Sequence, residues 1–108
     1  AFPMWLAPVQ VKVLPISEAA LNYANKITDY LKKGGLRVEL DTRNEKIGYK
    51  IREAQLHKVP YMLILGEKEV RDGTISVRSR KSGDLGTMMP DAFFAKAMEE
   101  IETKSNDQ

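Results

Sequence analysis

Cysteine is absent from this 108-residue chain, so disulfides, thiol nucleophiles and Cys-based zinc sites are all excluded. Histidine occurs once, at His57, which removes a His-rich metal site and any catalytic triad not built on that residue. No apolar run approaches the roughly 18–20 residues of a membrane-spanning helix. Neither G-x-x-x-x-G-K nor G-x-G-x-x-G occurs, so the backbone cradles that hold nucleotide phosphates are missing. Excess charge of one sign is missing too: 17 Lys and Arg against 15 Asp and Glu leave +2, too little to argue for nucleic acid by itself. What remains is an ordinary composition, 43% hydrophobic and 30% charged, in a chain long enough for one domain to bury a core without staples.

The patterning predicts α/β order. Val9 to Ile16 reads as a strand, with Val9, Val11 and Val13 alternating with Gln10 and Lys12. Ser17 stands as an N-cap before a stripe of Ala20, Tyr23, Ala24, Ile27 and Leu31, which Gly34-Gly35 stops. Leu36, Val38 and Leu40 predict a second strand, and Ile47, Ile51 and Ala54 a second helix that ends before Pro60. Tyr61 to Gly66 is almost wholly apolar, as suits a central strand covered on both faces. Helix-length connections imply parallel pairing with right-handed crossovers. Asp72-Gly73 then reads as a turn between Glu67–Val70 and Thr74–Arg80. Lys81 to Asp84 reads as a polar turn and Leu85 to Met89 as a short edge strand. Pro90 opens a last helix whose stripe is Phe94, Ala97, Met98 and Ile101. The expectation is a mixed sheet flanked by three helices. Residues 1–8, where Pro3 and Pro8 bracket bulky apolar side chains, read as a linker from something upstream. Residues 9–104 read as the domain and 105–108 as a frayed tail.

Nothing assembles a nucleophile, a base and an orienting group. A receiver domain shares this order, but it needs acidic residues where this chain has Pro15-Ile16 and Gly66-Glu67. The chain therefore reads as a binder. Its densest polar stretch is Arg43 to Glu53, which sets cationic side chains, carboxylates, an amide and a tyrosine ring at a strand-to-helix turn. In an open α/β sheet that edge is where ligands dock. Asn44 and Lys46 fall on the loop. Arg52, five residues past Ile47, lies about 140° around the helix from the core stripe. Gly48 is expected to permit close approach. Glu69 follows the third strand, and Arg78 alternates out of phase with Ile75 and Val77, with Arg80 on its face.

Arg and Asn offer planar donor and acceptor groups that suit base edges, a carboxylate accepts from base N–H groups, and Lys suits phosphate. RNA loops expose such edges. The competing reading is a solvated charged face with weak ion pairs.

The string RNEKIGYKIREAQLHKVPYMLILGEKEVRDGTISVRSR closely resembles the C-terminal anticodon-binding domain of bacterial-type threonyl-tRNA synthetases. The entry from Phe2 to Gln10 and the segment Leu85-Gly86-Thr87-Met88 fit as well, so the resemblance spans essentially the whole chain. Met4 and Met89 depart from the smaller or polar residues expected, and Met89 is a poor N-cap. The resemblance implies a class IIa synthetase fold, with a mixed five-stranded sheet and three helices. It also implies that Asn44, Arg52, Glu69 and Arg78 read the anticodon of threonine tRNA and that Lys46 contacts its loop. Aminoacylation, with its ATP, Mg and Zn, would belong to an upstream catalytic domain of a homodimeric cytoplasmic parent. No cofactor is expected in this chain, and the isolated domain is expected to be monomeric. Two other readings are a stand-alone interaction module of the same fold and a small-molecule α/β binder.

Overall fold

Five strands form one mixed sheet in the order β2-β1-β3-β4-β5. The computed structural model describes residues 3–103, so the expected tail at 105–108 lies outside the described residues. The strands are β1 (Val11–Pro15), β2 (Val38–Leu40), β3 (Tyr61–Leu65), β4 (Ile75–Ser79) and β5 (Gly83–Met88). The helices are α1 (Leu21–Lys33), α2 (Ile47–Leu56), α3 (Glu67–Asp72) and α4 (Pro90–Glu102). β1 pairs in parallel with β2 and β3, and β4 runs antiparallel between β3 and β5. The chain leaves β1 for one side of the sheet and then returns to the other. The carboxyl ends of β1, β2 and β3 therefore surround a topological switch point, the docking place of open α/β sheets.

The two faces of the sheet are unequally covered. On one, Val11, Val13, Leu63, Leu65, Ile75 and Val77 pack with Ala24, Ile27 and Leu31 of α1 and Phe93 and Ala97 of α4. On the other, Leu14 and Met62 meet Ala54 and Val59, with Ile47, Ile51 and Ile64 packed around them. α2 alone supplies the helical cover of this second, smaller core. Met4 and Ala7, in the segment read as an entry linker, are fully buried, and Met4 joins the first core. Arg37 ties that segment down, with Nε donating to the Ala7 carbonyl (2.9 Å) and Nη2 to the Trp5 carbonyl (3.0 Å).

Several local expectations change. The alternation in β1 marks no solvated face, because Gln10 and Lys12 are also buried. As the central parallel strand, β1 is covered on both sides. Gln10 bridges the Met4 carbonyl and the Arg37 amide, and Lys12 pairs with Glu39 at 3.0 Å. Ser17 does not cap α1. A single 3-10 turn, Glu18–Ala20, comes first and puts Ala20 at the N-cap position. Glu67–Val70 is helical, and Asp72-Gly73 ends α3 with Gly73 in the left-handed region. A left-handed glycine serves a helix C-terminus as readily as a hairpin. β5 begins at Gly83, earlier than the predicted Leu85. In α4 the most deeply buried ring is Phe93, which meets Tyr61 edge-on at 5.3 Å, while Phe94 is only partly buried. Met89, at the N-cap of α4, makes no side-chain capping bond.

Candidate nucleic-acid interface

Asp41, at the end of β2, organises the loop that follows. Its carboxylate accepts from the Arg43 amide (3.1 Å), from Arg43 Nε (3.0 Å) and from Arg43 Nη2 (2.8 Å). Arg43 also pairs with Glu53 on α2. Lys50, buried in the first half of α2, donates to the Asp41 carbonyl at 3.1 Å and lies 3.9 Å from its carboxylate. The Arg43 hydrogen bonds hold the Asp41 carboxyl at about 2 against an ordinary 3.8. Burial opposes them, and the Arg43 amide and the Lys50 charge add to the lowering. The Asp41 and Glu53 carboxylates push the Arg43 guanidinium up. Loop 42–46 is thus held by both of its arms.

Asn44 and Lys46 project from this loop, exposed, into a cleft of about 650 Å³. Ile16, Ser17, Leu21 and Ile47 form part of its walls. Neither Asn44 nor Lys46 has a side-chain partner among the described residues.

Helical geometry divides the rest of α2. Ile47, Ile51 and Ala54 face the sheet. Lys50 and Glu53 lie on the flank toward β2, where they meet Asp41 and Arg43. Gly48 and Arg52 lie about 100° and 140° from Ile47, on the opposite flank. That flank faces β4, as the bond from Arg80 Nε beyond β4 to the Gln55 carbonyl shows (3.5 Å). Arg52 is exposed and has no partner among the described residues. No atom lies within 4 Å of where a Cβ on Gly48 would sit, so no close approach within the chain requires glycine there.

The floor beside this flank is the open face of β4. Ser76 and Arg78 share it, out of phase with the buried Ile75 and Val77. Arg78 pairs across the ladder with Met62 and with Asp84, at a bulge between Val77 and Arg78. Gly86, with φ +85, supplies the left-handed residue that this irregularity uses. Arg78 Nε is buried without a hydrogen-bond partner. An unpaired buried donor of a charged group costs free energy unless a ligand meets it.

Glu69 stands at the end of this face. Its Oε1 accepts from the Gly66 amide (2.8 Å), the reach-back bond of a capping box, and its Oε2 accepts from Ser76 Oγ (2.9 Å). Burial pushes this carboxyl up. The Gly66 amide, the Ser76 hydroxyl, its own amide and Lys68 outweigh that, and the net shift is down. Gly66 also joins the two regions. A Cβ there would meet Ile16 Cδ1 at 3.0 Å and Glu69 Oε1 at 3.4 Å, so the cleft wall and Glu69 share one glycine.

The structure therefore sets Asn44 and Lys46 in one cleft, Glu69 and Arg78 on either side of Ser76, and Arg52 on the helix flank above. Sequence reasoning missed Asp41, Lys50 and Ser76. Asp41 ends a predicted strand just before the loop, which was a usable signal. Nothing local marks Ser76, because its partner comes from another element.

The anticodon binding domain family model matches residues 10–100. Threonine–tRNA ligase of Caldanaerobacter subterraneus subsp. tengcongensis is 62% identical over 105 residues, 97% of this chain. That of Clostridium botulinum (strain Okra / Type B1) is 60% identical over 106 residues, 98% of this chain. The chain spans only 16% and 17% of the length of these two relatives. The crystal structure of the RNA binding domain of threonyl-tRNA synthetase from Cryptosporidium parvum Iowa II superposes with a TM-score of 0.86 at 35% identity, covering 92% of this chain and 25% of that one. An open, arginine-bearing sheet face beside a helix flank is thus found on a chain that belongs to the anticodon binding domain family.

Proposed function

We propose that this chain is the anticodon-reading part of a threonine–tRNA ligase and that it holds the anticodon loop of threonine tRNA against the α2–β4 face. The buried, unpaired Nε of Arg78 on β4 carries this reading, with the Glu69 carboxylate fastened to Ser76, two residues before it on the same face. A donor fork and a fixed acceptor on one open face suit base edges. Asn44 and Arg52 add polar groups at the loop and on the helix flank, and Lys46 contributes charge toward phosphate.

Attachment of threonine, driven by ATP, belongs to a catalytic domain upstream in the same polypeptide. Among the described residues no three His, Asp or Glu side chains converge as a metal site would, and the Mg and Zn of the parent are assigned to that catalytic part. The parent is a cytoplasmic homodimer joined through its catalytic part, and this domain by itself is monomeric. Among the described residues, no helix is long and apolar enough to cross a membrane.

Fluorescence anisotropy with anticodon stem–loops tests the reading. The chain should prefer the threonine anticodon, and each altered letter that it reads should cost about 1–3 kcal/mol. Equal binding of matched and altered stem–loops would reject it and favour a stand-alone interaction module.

A further inference from the structure

The bonds to Glu69 come from two separate elements. The Gly66 amide, at the junction of β3 and α3, holds Oε1, and Ser76 Oγ, on β4, holds Oε2. The first closes the N-terminus of α3 and is needed for the local fold. The second is not a helix cap. It fastens the other oxygen to the strand that carries Arg78, two residues further along on the same face.

We infer that Ser76 is a positioning residue for anticodon discrimination: its hydroxyl fixes the direction of the Glu69 carboxylate relative to Arg78. The terminal torsion of a glutamate is broad and roughly two-fold, so a carboxylate held at one oxygen still swings. Held at both, it presents its remaining lone pairs in one plane. A hydroxyl has a single proton to give, and Ser76 gives it to Glu69, which leaves the serine oxygen as an acceptor only. The other titratable groups that bear on Glu69 are Lys68 on its own helix and Tyr23 of α1. Tyr23 donates its own hydroxyl to the Thr74 carbonyl at 2.8 Å, so it does not compete for the carboxylate. Among the described residues, Ser76 is the one side chain that donates to Glu69.

This inference rests on the anticodon-reading proposal, and the experiment separates the two. Ser76→Thr and Ser76→Val are nearly the same shape and both suit a strand, but only the first keeps the hydroxyl. The 108-residue chain and both variants are titrated with the threonine anticodon stem–loop and its single-letter variants. Ser76→Val should lower the matched-to-altered affinity ratio about three- to tenfold at one letter. Ser76→Thr should keep the ratio. A ¹³C-detected pH titration of the Glu69 carboxyl should move to higher pH in Ser76→Val and stay in place in Ser76→Thr, because only the valine removes a donor to the charged form. A purely structural role predicts something else, namely a fall in melting temperature with equal loss of all stem–loops; that result overturns the inference. Full discrimination in Ser76→Val, with the wild type discriminating, also overturns it and leaves the anticodon reading standing. No discrimination by the wild type rejects the anticodon reading itself, and the inference falls with it.

Discussion

The two flanks of α2 carry similar side chains in opposite circumstances. On the β2 flank, Lys50 and Glu53 meet Asp41 and Arg43, and each charge there has a protein partner. On the β4 flank, Arg52 has none among the described residues, and Arg78 below it has a buried Nε without one. Cations closed into a network shape a loop, and cations left open are available to a polyanion. Charge density alone does not distinguish them, because the run from Arg43 to Glu53 supplies both flanks from eleven consecutive residues.

Substitution on the closed flank should give the largest effect on stability. Asp41→Ala leaves Lys50 charged and buried, with only a backbone carbonyl near it, and should cost about 3–5 kcal/mol in chemical denaturation. It also leaves Arg43 held by Glu53 alone, so the loop that carries Asn44 and Lys46 loses its tie to the end of β2. A loss below about 1 kcal/mol would mean that the network is not structural.

Acid should reproduce part of that loss. The folded Asp41 carboxyl sits at about 2 against 3.8 ordinarily, so its ionised form stabilises the fold. That contribution is fully present above 3.8 and disappears as pH falls through about 2. It amounts to about 2 kcal/mol, at 1.36 kcal/mol per unit. Denaturation midpoints of wild type and Asp41→Asn across this window should converge at the acid end. Parallel curves would count against the assignment.

On the open flank the signs reverse. Arg78→Ala should weaken the matched stem–loop by about 1–3 kcal/mol and relax discrimination at one letter. It should leave stability unchanged or slightly raised, because it removes a buried donor that has no protein partner. A clear fall in stability would mean that Arg78 belongs to the closed class.

The smallest effect is expected at Lys46. Lys46→Ala should weaken all stem–loops alike and reduce the slope of log affinity against log salt by about 1. Loss at a single anticodon letter would instead make it a base reader.

Much of this was legible before folding. Helical spacing in Ala20 to Leu31 and the apolar run Tyr61 to Leu65 marked elements whose pattern reports burial directly. The face of Arg78 followed from a period of two. Legibility failed where a partner came from elsewhere. Lys12 alternates with the valines of its strand and is nevertheless buried, because β1 is covered on both sides, and Glu39 meets its charge from β2. Asp72-Gly73 looked like a hairpin and ends a helix, because left-handed glycine suits both.

By itself, then, the amino-acid order determined most of the elements, the parallel-then-antiparallel succession and which side chains stand out of phase with the core stripes, since those depend on periodicity and turn chemistry within short segments. The tertiary structure alone decided which cations are satisfied internally and which are not. It also decided that a serine on β4 aims a glutamate on α3. Pairings of that kind are made between strands and helices far apart in sequence, and a charge acquires its role from the partner that folding brings to it.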